Sequence, residues 1–236
     1  MMPDWLPEVA AAAIAAILAI TLHEAAHGYA ALWLGDDTAQ RAGRISINPL
    51  RHVDMMGTII LPGVMVAGQL LAMGQVQGVF GWAKPVPVNI WQLRNPRWGM
   101  VLVAAAGPAT NAVLAVIAAL LAHLVFWGQG ELGPEMTRFL LRFVGLSIMS
   151  NLVLGLFNLL PLPPLDGGRI MVGLLPRGPA MALARVEPYG ILVVIMFLFI
   201  LPMAVPAWDP MNLFLRNIVA PVFDFVLLTA GHGGGG

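Results

Sequence analysis

The chain has 236 residues, of which 59% are hydrophobic and 10% are charged, and its mean hydropathy is +0.83. Soluble domains carry about 25% charged residues, so this composition predicts an integral membrane protein embedded in a lipid bilayer. Twelve basic residues balance twelve acidic ones, which leaves no basic surface for nucleic acid. The absence of cysteine excludes disulfides and thiolate metal ligands.

Five apolar segments are predicted to cross the bilayer, since a spanning helix takes about 20 residues. In chain order they are residues 7–34, 99–127, 139–160, 189–205 and 211–229. A sixth apolar segment, residues 55–73, contains Gly57, Pro62, Gly63 and Gly68. These residues make it a poor uninterrupted helix.

Charge predicts the orientation of these segments. Nine of the twelve cationic residues lie in residues 36–54, 75–98 and 166–185, and cationic loops stay in the cytoplasm. The amino terminus is therefore expected outside. Both flanks of residues 55–73 then lie on one side, so we expect this segment to be re-entrant, with protein or water around its backbone. An ordinary sixth span, with one loop breaking the charge rule, is the alternative.

These patterns predict an all-α polytopic membrane protein with five to six transmembrane helices. Between the first helix and the one that carries GPATN, we expect a re-entrant, partly strand-like segment that includes the sequence GRISIN. The polar stretches are too short for an independent core, so residues 1–236 are interpreted as one membrane-embedded domain. Its core would be residues 8–175, with accessory helices at 188–230 and a flexible glycine end after His232.

The first helix carries the sequence HEAAH at residues 23–27. His23 and His27 are four residues apart and share a helix face, while Glu24 lies about 100° round the axis. H-E-x-x-H is typical of zinc sites in which the glutamate is the general base. Each ionisable group costs about 2.5 kcal/mol or more near the bilayer centre, and a metal ion would supply the counter-charge. A lone histidine such as His123 is instead expected to be a core residue bonded to a neighbouring helix.

A catalytic zinc commonly takes three protein ligands and keeps one open position. Asp166 is the candidate third ligand, because the other acidic residues considered lie in the polar segment after the first helix or on the outer side: Asp36, Asp37, Asp54, Glu131 and Glu135. Prolines precede Asp166 and two glycines follow it. Such broken backbone at membrane depth is tolerated only around a buried or watered site. A helix-capping aspartate in a surface turn is the alternative.

Three motifs in this order, HEAAH, AGPATN at residues 106–111 and FNLLPLPPLDGGR at residues 157–169, resemble those of the site-2 protease family of intramembrane zinc metalloproteases. The resemblance covers residues 20–169 and is strongest to the compact bacterial branch. It implies that His23, His27 and Asp166 bind one zinc ion and that Glu24 activates water. No segment is long enough for the PDZ or CBS domains that many members carry.

The resemblance also implies that Asn158, before the proline-rich turn, hydrogen-bonds the substrate backbone. Asn111 is a second candidate for the same work. Either asparagine could instead join neighbouring helices, which is a common role of polar residues in membrane helices.

The predicted function is that of a zinc metalloendopeptidase. It would hydrolyse peptide bonds in or near the transmembrane segments of membrane-protein substrates, as in regulated intramembrane proteolysis, with its active site toward the cytoplasm. The strand-like segment could offer an edge to an unwound substrate or merely cover the water path. An intramembrane metal-ion transporter or channel is the alternative function. It would need repeated halves and would have no use for Glu24 beside its ligands.

Overall fold

The computed structural model describes residues 6–74, 81–205 and 208–232. The predicted flexible glycine end lies outside the described residues. The α-helices of the described chain are α1 (Leu6–Trp33), α2 (Thr38–Arg41), α3 (Leu61–Met73), α4 (Pro96–Asn158), α5 (Asp166–Leu174), α6 (Arg177–Ala184), α7 (Gly190–Ile195), α8 (Leu201–Ala204), α9 (Pro210–Phe214) and α10 (Ala220–Thr229). Single π-helical stretches lie directly before α3, α8 and α10, at Met55–Ile60, Met196–Ile200 and Leu215–Val219.

Helix α4 is a hairpin rather than one rod. Its 63 residues would extend about 95 Å if straight, roughly three times the hydrocarbon thickness of a bilayer. Gly133 breaks the helical backbone with φ 74° and ψ 163°, and Pro134 follows. Asn111 donates to Asn151 at 2.8 Å, although the two would be about 60 Å apart on a straight helix. The two arms are therefore antiparallel, as the two spans predicted at 99–127 and 139–160 require.

Helix α1 packs against the α4 hairpin through small residues. Ala11, Ala15 and Ala19 follow one another at four-residue spacing and are at most 2% exposed. Small side chains at such a contact let helix backbones approach closely. The carbonyl of Ala19 lies 3.4 Å from the Asn111 amide nitrogen of α4, so the contact between α1 and α4 continues to the depth of the HEAAH motif.

The carboxyl-terminal helices cover another side of the hairpin. Phe214, Val219 and Val226 pack with Ala115 and Ile148 in one buried apolar cluster. This arrangement ties α9 and α10 to both arms of α4.

Two histidines fasten the end of α10 to the first arm of α4. His123 donates from Nε2 to the carbonyl of Ala230 at 2.6 Å, and His232 donates from Nε2 to the carbonyl of Ala119 at 2.8 Å. The two rings stack with their centroids 4.1 Å apart. His123 thus bonds a neighbouring helix as predicted, but its side chain is exposed rather than in the core.

The predicted strand-like segment is wrong for the residues that the structure describes, which contain no strand. Residues 44–48 have no paired backbone ladder, because polar side chains bond the backbone instead. Arg44 donates to the carbonyl of Lys84, and His52 donates from Nε2 to that of Ser46. Residues 81–89 form no strand either, and the prolines at 85 and 87 carry no N–H donor.

The segment predicted as broken, residues 55–73, is helical throughout. A π-helical stretch opens it, and Pro62 falls in the first turn of α3, where a missing N–H costs little. The amide of Trp82 donates to the carbonyl of Gly57 at 3.1 Å, and that of Lys84 to His52 at 2.8 Å. The chain that follows α3 therefore returns to the amino-terminal end of residues 55–73.

Five helical stretches of the described residues are long and apolar enough to cross a membrane. They are Pro7–Trp33, Met55–Ala72, Pro96–Asn158, Arg177–Leu198 and Pro210–Thr229. The α4 hairpin supplies two passes. The chain is accordingly an all-helical, multi-pass membrane protein, and the apolar side chains on its exposed faces are those expected to meet lipid.

Candidate metal centre

Helix α1 presents His23 and His27 on its buried face. The two side chains are 4% and 8% exposed, and their rings meet edge to face with centroids 4.7 Å apart. Their Nε2 atoms are 3.1 Å apart. Gly107 of α4 lies directly against them, since a Cβ there would come within 2.5 Å of the His27 Nε2 atom. Only glycine fits beside this pair of rings.

Asp166 reaches the same place from the start of α5. Prolines after Asn158 prevent α4 from continuing, and the chain folds back before Asp166. A Cβ on Gly167 would lie 2.2 Å from the carbonyl oxygen of Leu159, and one on Gly168 would lie 2.3 Å from the nitrogen of Pro163. Both glycines are helical, so they are needed for this close approach rather than for a left-handed turn. The carboxylate is 6% exposed.

Three ligand atoms from α1 and α5 form a nearly equilateral triangle. The Oδ2 atom of Asp166 lies 3.1 Å from Nε2 of His23 and 3.3 Å from Nε2 of His27, and the two nitrogens are 3.1 Å apart. Ligands bound to zinc at about 2.0 Å in a tetrahedron are about 3.3 Å from one another. The Oδ2 atom is buried and, apart from these two nitrogens, has no polar partner among the residues that the structure describes. These residues therefore fit a zinc ion.

The far side of each imidazole fixes which nitrogen carries the proton. His23 donates from Nδ1 to Oδ1 of Asn111 at 2.5 Å, and His27 donates from Nδ1 to the carbonyl of Val103 at 2.7 Å. A proton on Nδ1 leaves a lone pair on Nε2 of the neutral ring. Histidines that bind metals usually donate their other N–H in this way. Two facing lone pairs and an unpartnered carboxylate oxygen are stable together only around a cation.

Asp166 lies in the chain between two of the candidate spans. Burial alone would raise the pKa of its carboxyl group, but without a metal ion, imidazoles that carry a proton on Nε2 donate to it and lower that pKa to about 2. A cation bound between neutral imidazoles would stabilise the carboxylate in the same way. The side chain is therefore an anion at neutral pH. Together with two neutral imidazoles it makes a donor set that suits zinc.

A cavity of about 290 Å³ opens beside the triangle. Its wall is mostly apolar and includes side chains from α1, α4, α7 and the extended residues 81–89. Glu24, Asn158, Arg169 and the indole of Trp82 are the described polar side chains that line it in addition to the three ligands. Glu24 is half-buried, and one of its oxygens, Oε2, accepts the amide of Val86 at 3.0 Å.

Known proteins are similar to this chain in sequence. The profile of Peptidase family M50 matches residues 128–201, which include the Asp166 turn but not HEAAH. YwhC of Bacillus subtilis (strain 168), named as a candidate zinc metalloprotease, is 39% identical over 213 residues, or 90% of each chain. The chain belongs to peptidase family M50.

More distant M50 relatives are also found. Rip2 of Mycolicibacterium smegmatis is 30% identical over 216 residues, which are 89% of this chain and 71% of the relative. Rip2 of Mycobacterium tuberculosis is 29% identical over 195 residues, which are 79% of this chain and 65% of the relative. Both are named as candidate zinc metalloproteases. No solved structure gives a significant match.

The two asparagines predicted to support the substrate occupy different places in this M50 fold. Asn158 lines the cavity, and its amide nitrogen donates to the carbonyl of Leu154 one turn back. Asn111 is fully buried and is absent from the cavity wall. It joins His23 to Asn151, which is closer to the alternative prediction of a residue between helices.

Some contacts of this M50 site were missed by sequence reasoning. Arg97, in the first turn of α4, donates to the carbonyls of Gly173 at 2.6 Å and of Leu175 at 2.7 Å. It thereby caps the end of α5 opposite to Asp166. The contact between Glu24 and the amide of Val86 was missed as well. The partners in these contacts are backbone groups, which do not depend on the type of side chain. No sequence motif could therefore predict the contacts.

Proposed function

We propose that this chain is an intramembrane zinc metalloprotease that hydrolyses peptide bonds in or near the transmembrane segments of membrane-protein substrates. The observation that carries the proposal is the triangle of three buried ligand atoms, two of them imidazole Nε2 atoms of rings whose Nδ1 atoms face acceptors, next to a glutamate in one cavity. His23, His27 and Asp166 are the proposed ligands of one zinc ion. When bound, zinc supplies Lewis acidity that polarises a carbonyl and lowers the pKa of water.

Glu24 is the proposed general base. The contact of Oε2 with the Val86 amide leaves its other oxygen, Oε1, to take a proton from the attacking water. The same carboxyl then returns that proton to the leaving amine nitrogen as the peptide C–N bond breaks. The amide of Val86 holds the carboxylate in one orientation, so less conformational entropy is lost when the reacting state forms.

The cavity wall and Asn158 are proposed to receive the substrate. An unwound segment exposes backbone donors and acceptors that an apolar wall cannot satisfy. The side-chain oxygen of Asn158, Oδ1, makes no hydrogen bond with the described residues, so it is available to accept one from the substrate backbone. Asn111 is proposed to act on His23 instead of on the substrate, because its amide group is already used inside the protein.

We also propose a topology for the site. Residues 55–73 would be re-entrant, which is supported by the hydrogen bond between Trp82 and Gly57 that closes the base of this segment. The amino terminus would lie outside and the metal centre toward the cytoplasm, as the cationic segments favour. Residues 8–175 would form the catalytic core, with the carboxyl-terminal helices as its support.

Replacing Glu24 with glutamine tests the function. The variant keeps the shape but cannot accept the proton, so cleavage of a co-expressed single-span substrate should fall by roughly 10²–10⁴-fold. The zinc content of the purified variant should equal that of the wild type, about one ion per chain. Loss of zinc from the variant would make Glu24 a ligand. Cleavage at the wild-type rate would contradict the proposal, and zinc transport by the variant would support the transporter instead.

A further inference from the structure

Arg169 is the only arginine or lysine that lines the cavity among the residues the structure describes. The other polar groups of the wall are the proposed ligands, Glu24, Asn158 and the indole of Trp82, and most of the remaining wall is apolar. Bound zinc would balance the charges of Glu24 and Asp166, and Glu187, the ion-pair partner of Arg169, does not line the cavity. The guanidinium is then the remaining charge on the described wall, and a cation on a mostly apolar wall favours an anion.

The position of Arg169 places it near the scissile bond. It follows Asp166 by three residues on α5, and residues three apart lie on the same face of a helix. Asp166 contributes a proposed zinc ligand from that face. A substrate bound at the metal would therefore pass close to the guanidinium.

The present partner of Arg169 is a carboxylate that an incoming group can replace. Its Nε and Nη2 atoms lie 3.3 and 3.1 Å from the same oxygen of Glu187, Oε1, while Nη1 makes no hydrogen bond with the described residues. The side chains of Arg169 and Glu187 are 35% and 44% exposed. Ion pairs with this much exposure contribute little to stability, so exchanging one carboxylate for another costs little.

A substrate without an acid would cover the Arg169–Glu187 ion pair with apolar side chains, which removes water from both charges and is unfavourable. A substrate carboxylate beside Arg169 in the filled cavity would be screened less by water than the present, partly exposed Arg169–Glu187 pair. We propose that Arg169 selects substrates that place an aspartate or glutamate beside the scissile bond, with Glu187 occupying the guanidinium until such a substrate binds. This inference rests on the proposed proteolytic function and names the substrate class of the same cavity.

A pooled set of model substrates tests the selection. Each member is a single-span protein with the same apolar segment and one aspartate or one asparagine, placed at successive positions. The pool is incubated with the purified zinc-loaded protein, and the products are read by mass spectrometry. We expect aspartate to be enriched at one fixed distance from the cut, by about fivefold over asparagine.

Variants assign this preference to the guanidinium. Arg169→Gln should lower the ratio of aspartate to asparagine cleavage to about one, and Arg169→Glu should prefer lysine at the same position in a matching lysine pool. Glu187→Gln, which removes the competing carboxylate, should increase the enrichment. Arg185→Gln is the matched control, because Arg185 is exposed and does not line the cavity.

The outcomes separate the two proposals. Cleavage by the wild type without any aspartate preference would overturn the selection by Arg169 and leave the protease function intact. A loss in Arg169→Gln that is equal for both kinds of substrate, or that appears only in vesicles with anionic lipid, would also overturn it. No cleavage of any member by zinc-loaded wild type would overturn the proposed function and the inference that rests on it.

Discussion

Each histidine of the metal centre uses its two ring nitrogens for different purposes. The Nδ1 atoms of His23 and His27 donate to fixed oxygens of α4, and the Nε2 atoms face Asp166. In a neutral ring, these bonds hold the proton away from the side that faces Asp166. Of the two oxygens that accept from Nδ1, only the one of Asn111 belongs to a side chain, so it is the one that a substitution can remove.

Asn111→Ala should weaken zinc binding by about 10- to 100-fold, the usual effect of removing a partner of a metal-bound histidine. The His23 ring would lose the acceptor that fixes its orientation, and Asn151 would lose its donor. Competition with a chelator of known affinity measures the change. Asn158→Ala is the comparison: it should keep zinc and lose cleavage. Equal zinc affinities for Asn111→Ala and the wild type would show that the bond does not support the site.

Helix periodicity made the pairing of His23 with His27 predictable, because it depends on four residues of one helix. The contact of His23 with Asn111 spans 88 residues, and that of His27 with Val103 uses a backbone carbonyl. Such contacts depend on how helices dock, which one sequence does not encode as a local pattern. The ligand role of Asp166 was reached only by elimination and by resemblance.

At the scale of single elements, α5 is held at both ends. Arg97 caps its last carbonyls, and the first turn is pressed against the chain that follows α4. Sequence reasoning treated Gly167 and Gly168 as part of the broken backbone around Asp166. They belong to a helix whose first turn touches backbone, and this contact requires the smallest residue. The dipeptide Gly167–Gly168 is compatible with a broken backbone and with a closely packed helix.

Gly168→Ala should therefore abolish cleavage and reduce zinc retention, because its methyl group would lie 2.3 Å from the backbone nitrogen of Pro163, an atom with no freedom to move aside. Gly178→Ala in α6 is the matched control, since nothing lies within 4 Å of its added Cβ. The control should be tolerated and gain about 0.5–1 kcal/mol from helix propensity. Zinc analysis and thermal unfolding measure both variants. Normal zinc content and activity in Gly168→Ala would refute the packing argument.

At the scale of the whole molecule, hydropathy predicted the helical membrane architecture and the two antiparallel arms of α4. The strand was predicted wrongly, because the alternation in GRISIN is also compatible with an unpaired extended chain. Whether backbone groups pair depends on a partner strand, and the neighbouring residues 81–89 carry prolines at 85 and 87. Hydropathy also failed to show that residues 55–73 are continuously helical.

The chain has no cysteine, so single cysteines can report the topology. Ile47→Cys and Trp91→Cys introduce thiols at exposed positions on either side of residues 55–73. Both should react with an impermeant reagent only from the cytoplasmic face, whereas Gly130→Cys, near the tip of the α4 hairpin, should react only from outside. Reaction of the Ile47→Cys and Trp91→Cys variants from opposite faces would show that residues 55–73 span the bilayer.

The three proposed ligands belong to helices separated by most of the chain, so a bound metal would act as a cross-link between α1 and the start of α5. Closing so long a loop stabilises a fold by restricting its unfolded chain. An ion that binds only the native state also raises stability by mass action.

Chelation should therefore lower the melting temperature and let the segment around Leu165 move away from α1. Faster cutting of that segment by an added soluble protease would report metal loss without any substrate, and an unchanged digestion pattern would show that packing alone holds α5 in place.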